Sequence, residues 1–228
     1  LSCFSQSLST FKLLFVIALV PAILAVLVLL FIREAHVRPQ KRENIFSAYK
    51  SLSKDYKHYL FSAAIFSLAY FSFGFLLLKA YMVGFQMKDV VLLYALFNVA
   101  SVLVAAPIGK LGDYIGRKSI ITTSFILYLL MSIGFIFAST KLHVILLFIL
   151  FGVFYSIDEG QSKAFISDLE RKKKGTAMGL YNFITGIIYL PASLIAGYLW
   201  TLNPGYAFIF AAMLSLLAAV FFLFWKRE

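Results

Sequence analysis

The sequence predicts an all-α, polytopic membrane bundle, and three observations carry that prediction. Of the 228 residues, 62% are hydrophobic and only 14% charged, against roughly 25% charged in an ordinary soluble domain. Seven apolar stretches are each long enough to cross roughly 30 Å of hydrocarbon as a helix rising about 1.5 Å per residue. The apolar runs lack the alternation of a membrane barrel, and an open sheet would leave backbone groups unpaired in lipid.

The predicted spans are 11–32, 59–84, 90–108, 119–139, 142–162, 176–200 and 206–225. The first and seventh are almost purely apolar, with Ser215 the one clear polar residue deep in the seventh; both are expected to face lipid on most sides. The second carries Tyr70 and Ser72, the third Asn98 and Ser101, the fifth Tyr155, Ser156, Asp158 and Glu159, and the sixth Tyr181, Asn182, Thr185 and Tyr189. Those four spans are the candidate walls of a cavity. In and just before the sixth, Gly175 and Gly179, then Ser193 and Gly197, are small residues four apart, a spacing that lets helices approach closely.

The connectors carry the cations. Arg33, Arg38, Lys41, Arg42, Lys50, Lys54 and Lys57 follow the first span; Lys110, Arg117 and Lys118 follow the third; Lys163 and residues 171–174 close the fifth; Lys226 and Arg227 follow the seventh. The alternate connectors hold only Lys12, Lys79, Lys88 and Lys141. Cation-rich loops stay in the cytoplasm, so a cytoplasmic C-terminus is predicted, in a plasma membrane or a bacterial or archaeal inner membrane. That distribution accounts for the net charge of +11 without a nucleic-acid partner.

Connector lengths divide the chain into a lone transmembrane helix (1–32), a basic cytoplasmic linker (33–58) and a six-helix block (59–228). A lone helix, a long linker and six further helices are the arrangement expected of the second half of a two-half transporter with the last helix of the first half attached. The chain opens on Leu1 and is read as a fragment whose N-terminal half is missing. The single Cys3 and the scattered His36, His58 and His143 offer no metal-ligand spacing. No phosphate-binding loop of the G-x-x-x-x-G-K-[ST] type is present, and no nucleophilic constellation. An enzyme is not expected, nor a cofactor.

Between the third and fourth spans lies Gly109-Lys110-Leu111-Gly112-Asp113-Tyr114-Ile115-Gly116-Arg117-Lys118. It reads as a tight basic loop in which glycines relax the backbone and Asp113 pairs with free amides or a neighbouring cation. An ordinary positive-inside turn would explain the cations but not the spacing of the glycines and the acid. This stretch resembles the signature of the major facilitator superfamily, G-x-L-x-D-x-x-G-R-K, which lies between the second and third helices of each half; Gly109, Leu111, Asp113, Gly116, Arg117 and Lys118 match it. After the fifth span, Asp168, the basic run 171–174 and the glycines Gly175 and Gly179 are similar to a second family pattern, with Lys174 where Arg is usual. Lys lacks the planar fork of Arg, which weakens bidentate pairing there. The resemblance implies the sixth to twelfth helices of a twelve-helix transporter. It further implies a conformational latch in which Asp113 and Arg117 pair with charges at adjacent helix ends, Asp168 being the expected partner of Arg117.

Asp158 and Glu159 lie near the cytoplasmic third of the fifth span, where an ionised carboxylate costs several kcal/mol unless it is paired or wet. Glu159 and Lys163 are four apart and share a helix face, whereas Asp158 has no local partner. The functional reading makes Asp158 or Glu159 a proton-exchanging group; the alternative is that both are solvated near the surface. Asp158, Glu159, Lys163, Tyr155, Asn182 and Asn98 are the candidate residues for proton coupling and substrate contact. The expected function is secondary transport of a small solute by alternating access, proton-coupled, with efflux of amphiphilic compounds as the first choice of direction and substrate. The expected partners are the solute, protons, lipid and the missing half. A non-transporting sensor or scaffold of the same fold, or an inactive fragment, is the alternative.

Overall fold

The computed structural model describes residues 8–30 and 44–225. The chain divides before Asn44 into two compact units. The described part of the first is α1 (Leu8–Leu30), which is apolar and has Pro21 inside it. Predicted positions between 31 and 43 and the terminal Lys226 and Arg227 lie outside the described residues.

The second unit opens with a short helix, α2 (Ile45–Ser51), inside the segment read as linker. The next helix, α3 (Lys54–Ala69), begins ahead of the predicted Tyr59 because Ser53 caps it, its hydroxyl accepting from the Tyr56 amide at 3.1 Å. Asp55 in the first turn adds favourable charge at the positive end of the helix dipole. Six helical spans in this unit are long and apolar enough to cross a membrane, and the described residues contain no strand. The protein is an integral, multi-pass membrane protein.

The second predicted span is two helices, α3 and α4 (Gly74–Met82), separated at Tyr70 to Phe73. No Pro marks this break; Gly74 follows it directly, as the first residue of α4. Freed backbone groups are tolerated in lipid only when the protein satisfies them, and here neighbouring helices do so. The Ser72 amide donates to Ser193 Oγ at 3.2 Å, and Tyr128 Oη donates to the Ala69 carbonyl at 3.1 Å.

The remaining spans are α5 (Met87–Ile115), α6 (Arg117–Phe137), α7 (Lys141–Leu169), α8 (Lys174–Leu202) and α9 (Pro204–Phe224). Their starts follow local rules. Gln86 and Asp89 form a reciprocal capping box on α5, Thr140 caps α7, and Asn203 caps α9 with Pro204 at the first position.

α6 and α9 form the centre of the packing. α6 packs on α9 and α7, and α9 also on α3 and α8. On α9 the fully buried Ala207, Ala211 and Ala218 let α6 come close, and Ser215 Oγ donates to the Phe125 carbonyl at 2.7 Å. The seventh span is therefore a packing helix on this face, not one turned to lipid on most sides; periodicity misses this because alanine is equally acceptable in lipid and in a helix interface. Close approach occurs at Gly152 of α7, where an added β-carbon would lie 2.5 Å from the Phe97 carbonyl oxygen and 2.8 Å from Ala100 Cβ of α5. The glycines expected to serve that purpose, Gly175 and Gly179, face open space, and Gly197 only meets Phe75 at 3.7 Å.

Candidate functional site

Two clusters of charged residues lie along α7. The first is a cleft between α7 and α8 of about 210 Å³, lined by Asp158, Glu159, Ser162 and Lys163 on one side and Tyr181, Asn182, Thr185 and Tyr189 on the other. The spacing of each set is helical, so each helix turns one polar face to the cleft. Lys163 pairs with Glu159 across one turn, with both side chains about half exposed. Among the described residues Asp158 has no cation within ion-pair distance; Tyr181 and Tyr189 share the cleft with it, and ring contacts link them to Tyr59, Tyr70 and, through Tyr70, Tyr128. Those tyrosines come from three different parts of the bundle, and Tyr70 sits at the break between α3 and α4.

Tyr70, Tyr181 and Tyr189 were among the candidate wall residues, whereas Tyr59 and Tyr128 carried no signal in the sequence. Aromatic packing joins them. Tyr59 stacks on Tyr181 at 6.0 Å, and Tyr70 lies 5.4 Å from Tyr189 and 5.7 Å from Tyr128. Tyr59 is fully buried and its hydroxyl has no protein partner among the described residues, an uncommon state for a buried polar group. Of the other candidates, Asn182 lines the cleft, whereas Tyr155 and Asn98 do not. Tyr155 packs against Phe97 and Phe151 towards α5, and the Asn98 amide donates back to the Tyr94 carbonyl of its own helix at 2.7 Å.

The second cluster is built from residues 109–118. These residues are not the tight loop that glycine content suggests: α5 continues through Gly109, Leu111, Gly112 and Asp113 to Ile115, and the connection to α6 is Gly116 alone, at φ 92°. Only there does the backbone need glycine. Gly112 answers a different demand. Gln161 of α7 lies against it, donating to the Ile108 carbonyl at 3.3 Å, and a β-carbon on Gly112 would overlap the Gln161 amide. Gln161, 5% exposed, was missed in the sequence because nothing marks a lone amide as a contact for a glycine fifty residues away.

Continuing the helix places Asp113 one turn before Arg117. The Arg117 guanidinium donates to Asp113 Oδ1 at 2.8 Å and through Nε to Asp168 Oδ2 at 2.9 Å. One cation thus bridges the ends of α5 and α7. Lys118 turns instead to α9, where its ammonium donates to the Leu223 carbonyl at 3.3 Å and to the Trp225 carbonyl, and it lies 5.2 Å over the Trp225 ring. A cation at the carboxyl end of α9 pairs with otherwise unsatisfied carbonyls and with the negative end of the helix dipole. A cavity of about 350 Å³ is lined by these groups together with Phe165 and Trp225.

Two features, the helix–glycine–helix geometry around Arg117 and six apolar spans, agree with sequence comparison. A family model described as Major Facilitator Superfamily matches residues 78–228. The chain belongs to the major facilitator superfamily. Members of this superfamily are transporters, not enzymes. The chain is also similar to an uncharacterized MFS-type transporter of Methanocaldococcus jannaschii, with 34% identity over 222 residues, covering 94% of this chain and 56% of the relative. The chain thus spans about half the length of that relative.

Proposed function

We propose that this superfamily chain forms the C-terminal half of a secondary active transporter, with its cation-rich end and C-terminus in the cytoplasm, and that it moves a small solute by alternating access coupled to protons. The observation that carries the reading is Asp158: a carboxylate within a membrane span, facing a cleft beside Tyr181 and Tyr189, with the nearby Lys163 engaged in an ion pair with Glu159. Acids inside membrane spans mark ion and substrate pathways when they line a cavity. Glu159 is held by Lys163, which leaves Asp158 as the group free to exchange a proton, with Asn182 and the tyrosines as solute contacts. An aromatic wall suits an amphiphilic solute, and efflux is the direction favoured. Asn98 and Tyr155, on the α5 side, are proposed to contact solute from the far wall of the pathway once the other half is in place.

Ten residues further along α7, at its carboxyl end, Asp168 is proposed to act as a latch with Gly109, Leu111, Asp113, Gly116, Arg117 and Lys118. Arg117 bridges two helix ends that must separate or shift when one half rocks against the other. The test of coupling uses the full-length protein in proteoliposomes. Solute-driven proton flux should be lost in Asp158→Asn and retained in Glu159→Gln, with both variants folded; unchanged flux and pH dependence in Asp158→Asn would refute the assignment. The latch is tested by cysteine accessibility along the cleft, where Arg117→Ala should change the balance of the two access states and an unaltered pattern would exclude the role.

A further inference from the structure

The ion bridge from Arg117 to Asp168 fastens α6 and the end of α5 to α7. About 10 Å back along α7, two turns before Asp168, α5 and α7 meet again at Gln161. A separation of seven residues brings Gln161 and Asp168 onto nearly the same side of the helix. The Gln161 amide is buried; its Nε2 donates to the Ile108 carbonyl at 3.3 Å, and its Oε1 has no partner among the described residues. Ile108 and Gly112 are one turn apart on α5, so the amide covers that turn. A β-carbon on Gly112 would overlap Oε1 and lie 2.8 Å from Cδ, so glycine alone leaves the room the amide occupies. Gly112 lines the same cavity as Asp113, Arg117 and Asp168.

The ion bridge is too weak to set this spacing by itself. The Asp113 side chain is 67% exposed and that of Asp168 44%, and exposed ion pairs contribute little. A buried side chain seated on a glycine fixes the approach of two helices more sharply, because interiors are close-packed. The same amide is also suited to release. Only its donor is used here, and moving it into water gives Oε1 the hydrogen bond it lacks.

We propose that Gln161 is a positioning residue for the bridge between Arg117 and Asp168. Seated on Gly112, it sets how closely and in what register the end of α5 lies against α7, and so holds Arg117 within reach of Asp168 in this access state. The role rests on the latch reading above and adds to it a buried contact two turns away from the charges.

The test uses the full-length protein in proteoliposomes, in a background without other cysteines and carrying Gly186→Cys, a cleft position where an added β-carbon meets nothing within 4 Å. The probe is N-ethylmaleimide. Arg117→Ala should change the labelling rate, as the latch requires. Gln161→Ala should change it in the same direction by about fivefold, the population shift that one buried hydrogen bond supports. Gly112→Ala should act likewise, since its β-carbon displaces only the end of a flexible side chain; added to Gln161→Ala it should bring no further change, because the space is then free. Gly160→Ala, where nothing lies within 4 Å, should leave the rate unaltered. A side chain that only packs would lower the unfolding temperature and leave labelling as it was. That result in Gln161→Ala, with Arg117→Ala still effective, would overturn the positioning role and leave the latch standing. No change in Arg117→Ala would remove the latch and the positioning role together, and additive effects of Gly112→Ala and Gln161→Ala would overturn the contact between them. If Gln161→Ala fails to fold, Gly112→Ala decides alone.

Discussion

α5 and α6 are adjacent in sequence, joined by a single residue and equally apolar, yet their surroundings differ sharply. Half of the apolar window of α6 is buried within the unit, against 11% for α5. The same contrast separates α9, at 44%, from α8, at 17%. α6 and α9 pack on each other and form a frame; α5 and α8 both touch α7 but hardly touch each other, so they flank its polar face as walls. Apolar character answers the demand of lipid and of a protein interior alike, so the two roles are invisible to hydropathy.

Substitutions test this division most strongly where a wall meets α7. Gly152→Leu should cost about 3 kcal/mol or more, because the added atoms meet the α5 backbone at Phe97 and not a side chain that can move. Thermal unfolding of the solubilised full-length protein reads this out, and Gly160→Leu on the same helix, where nothing lies within 4 Å, should be tolerated. A smaller effect separates frame from wall. Ala211→Phe, at a fully buried position of α9, should destabilise by about 1–3 kcal/mol, while Leu103→Phe, at a 71% exposed position of α5, should leave the unfolding temperature of the unit unchanged. Equal losses would break the distinction.

Within the frame, Ser215→Ala removes a buried hydrogen bond to Phe125 and should cost about 1 kcal/mol, seen as a small fall in the same unfolding temperature. The smallest effect on stability is expected at the end of the walls. Arg117→Ala loses ion pairs whose acids are substantially exposed, so its cost should stay under about 1 kcal/mol. Its main consequence belongs to the balance of states; a large fall in unfolding temperature would assign Arg117 to the frame instead.

Much of the candidate site was legible because its parts are local. Glu159 and Lys163 are one helical turn apart, and so are Asp113 and Arg117 once α5 is known to continue; spacing alone puts each pair on one face. The pairing of Arg117 with Asp168 was accessible only through family resemblance, since fifty residues separate them. Tyr70, Tyr181 and Tyr189 lay on spans read as cavity walls, but Tyr59 and Tyr128 had no signal to join them, because tyrosine is common at membrane interfaces and in packing. Gly112 illustrates a misread cause: glycine suggested a turn, whereas the position is helical and the missing β-carbon makes room for Gln161.

By itself the sequence determined that the protein is helical and that it lies in a membrane, because burying some twenty backbone units in lipid leaves no alternative to a helix. It also marked the signature end through a local pattern of glycines and charges. Tertiary structure decided the rest. The break at Tyr70 exists because Ser193 and Tyr128 satisfy the groups that the helix releases. Lys118 binds the end of α9 because α6 packs beside it. The choice of frame or wall depends on which side chains a neighbouring helix can approach, and that is a property of pairs of helices.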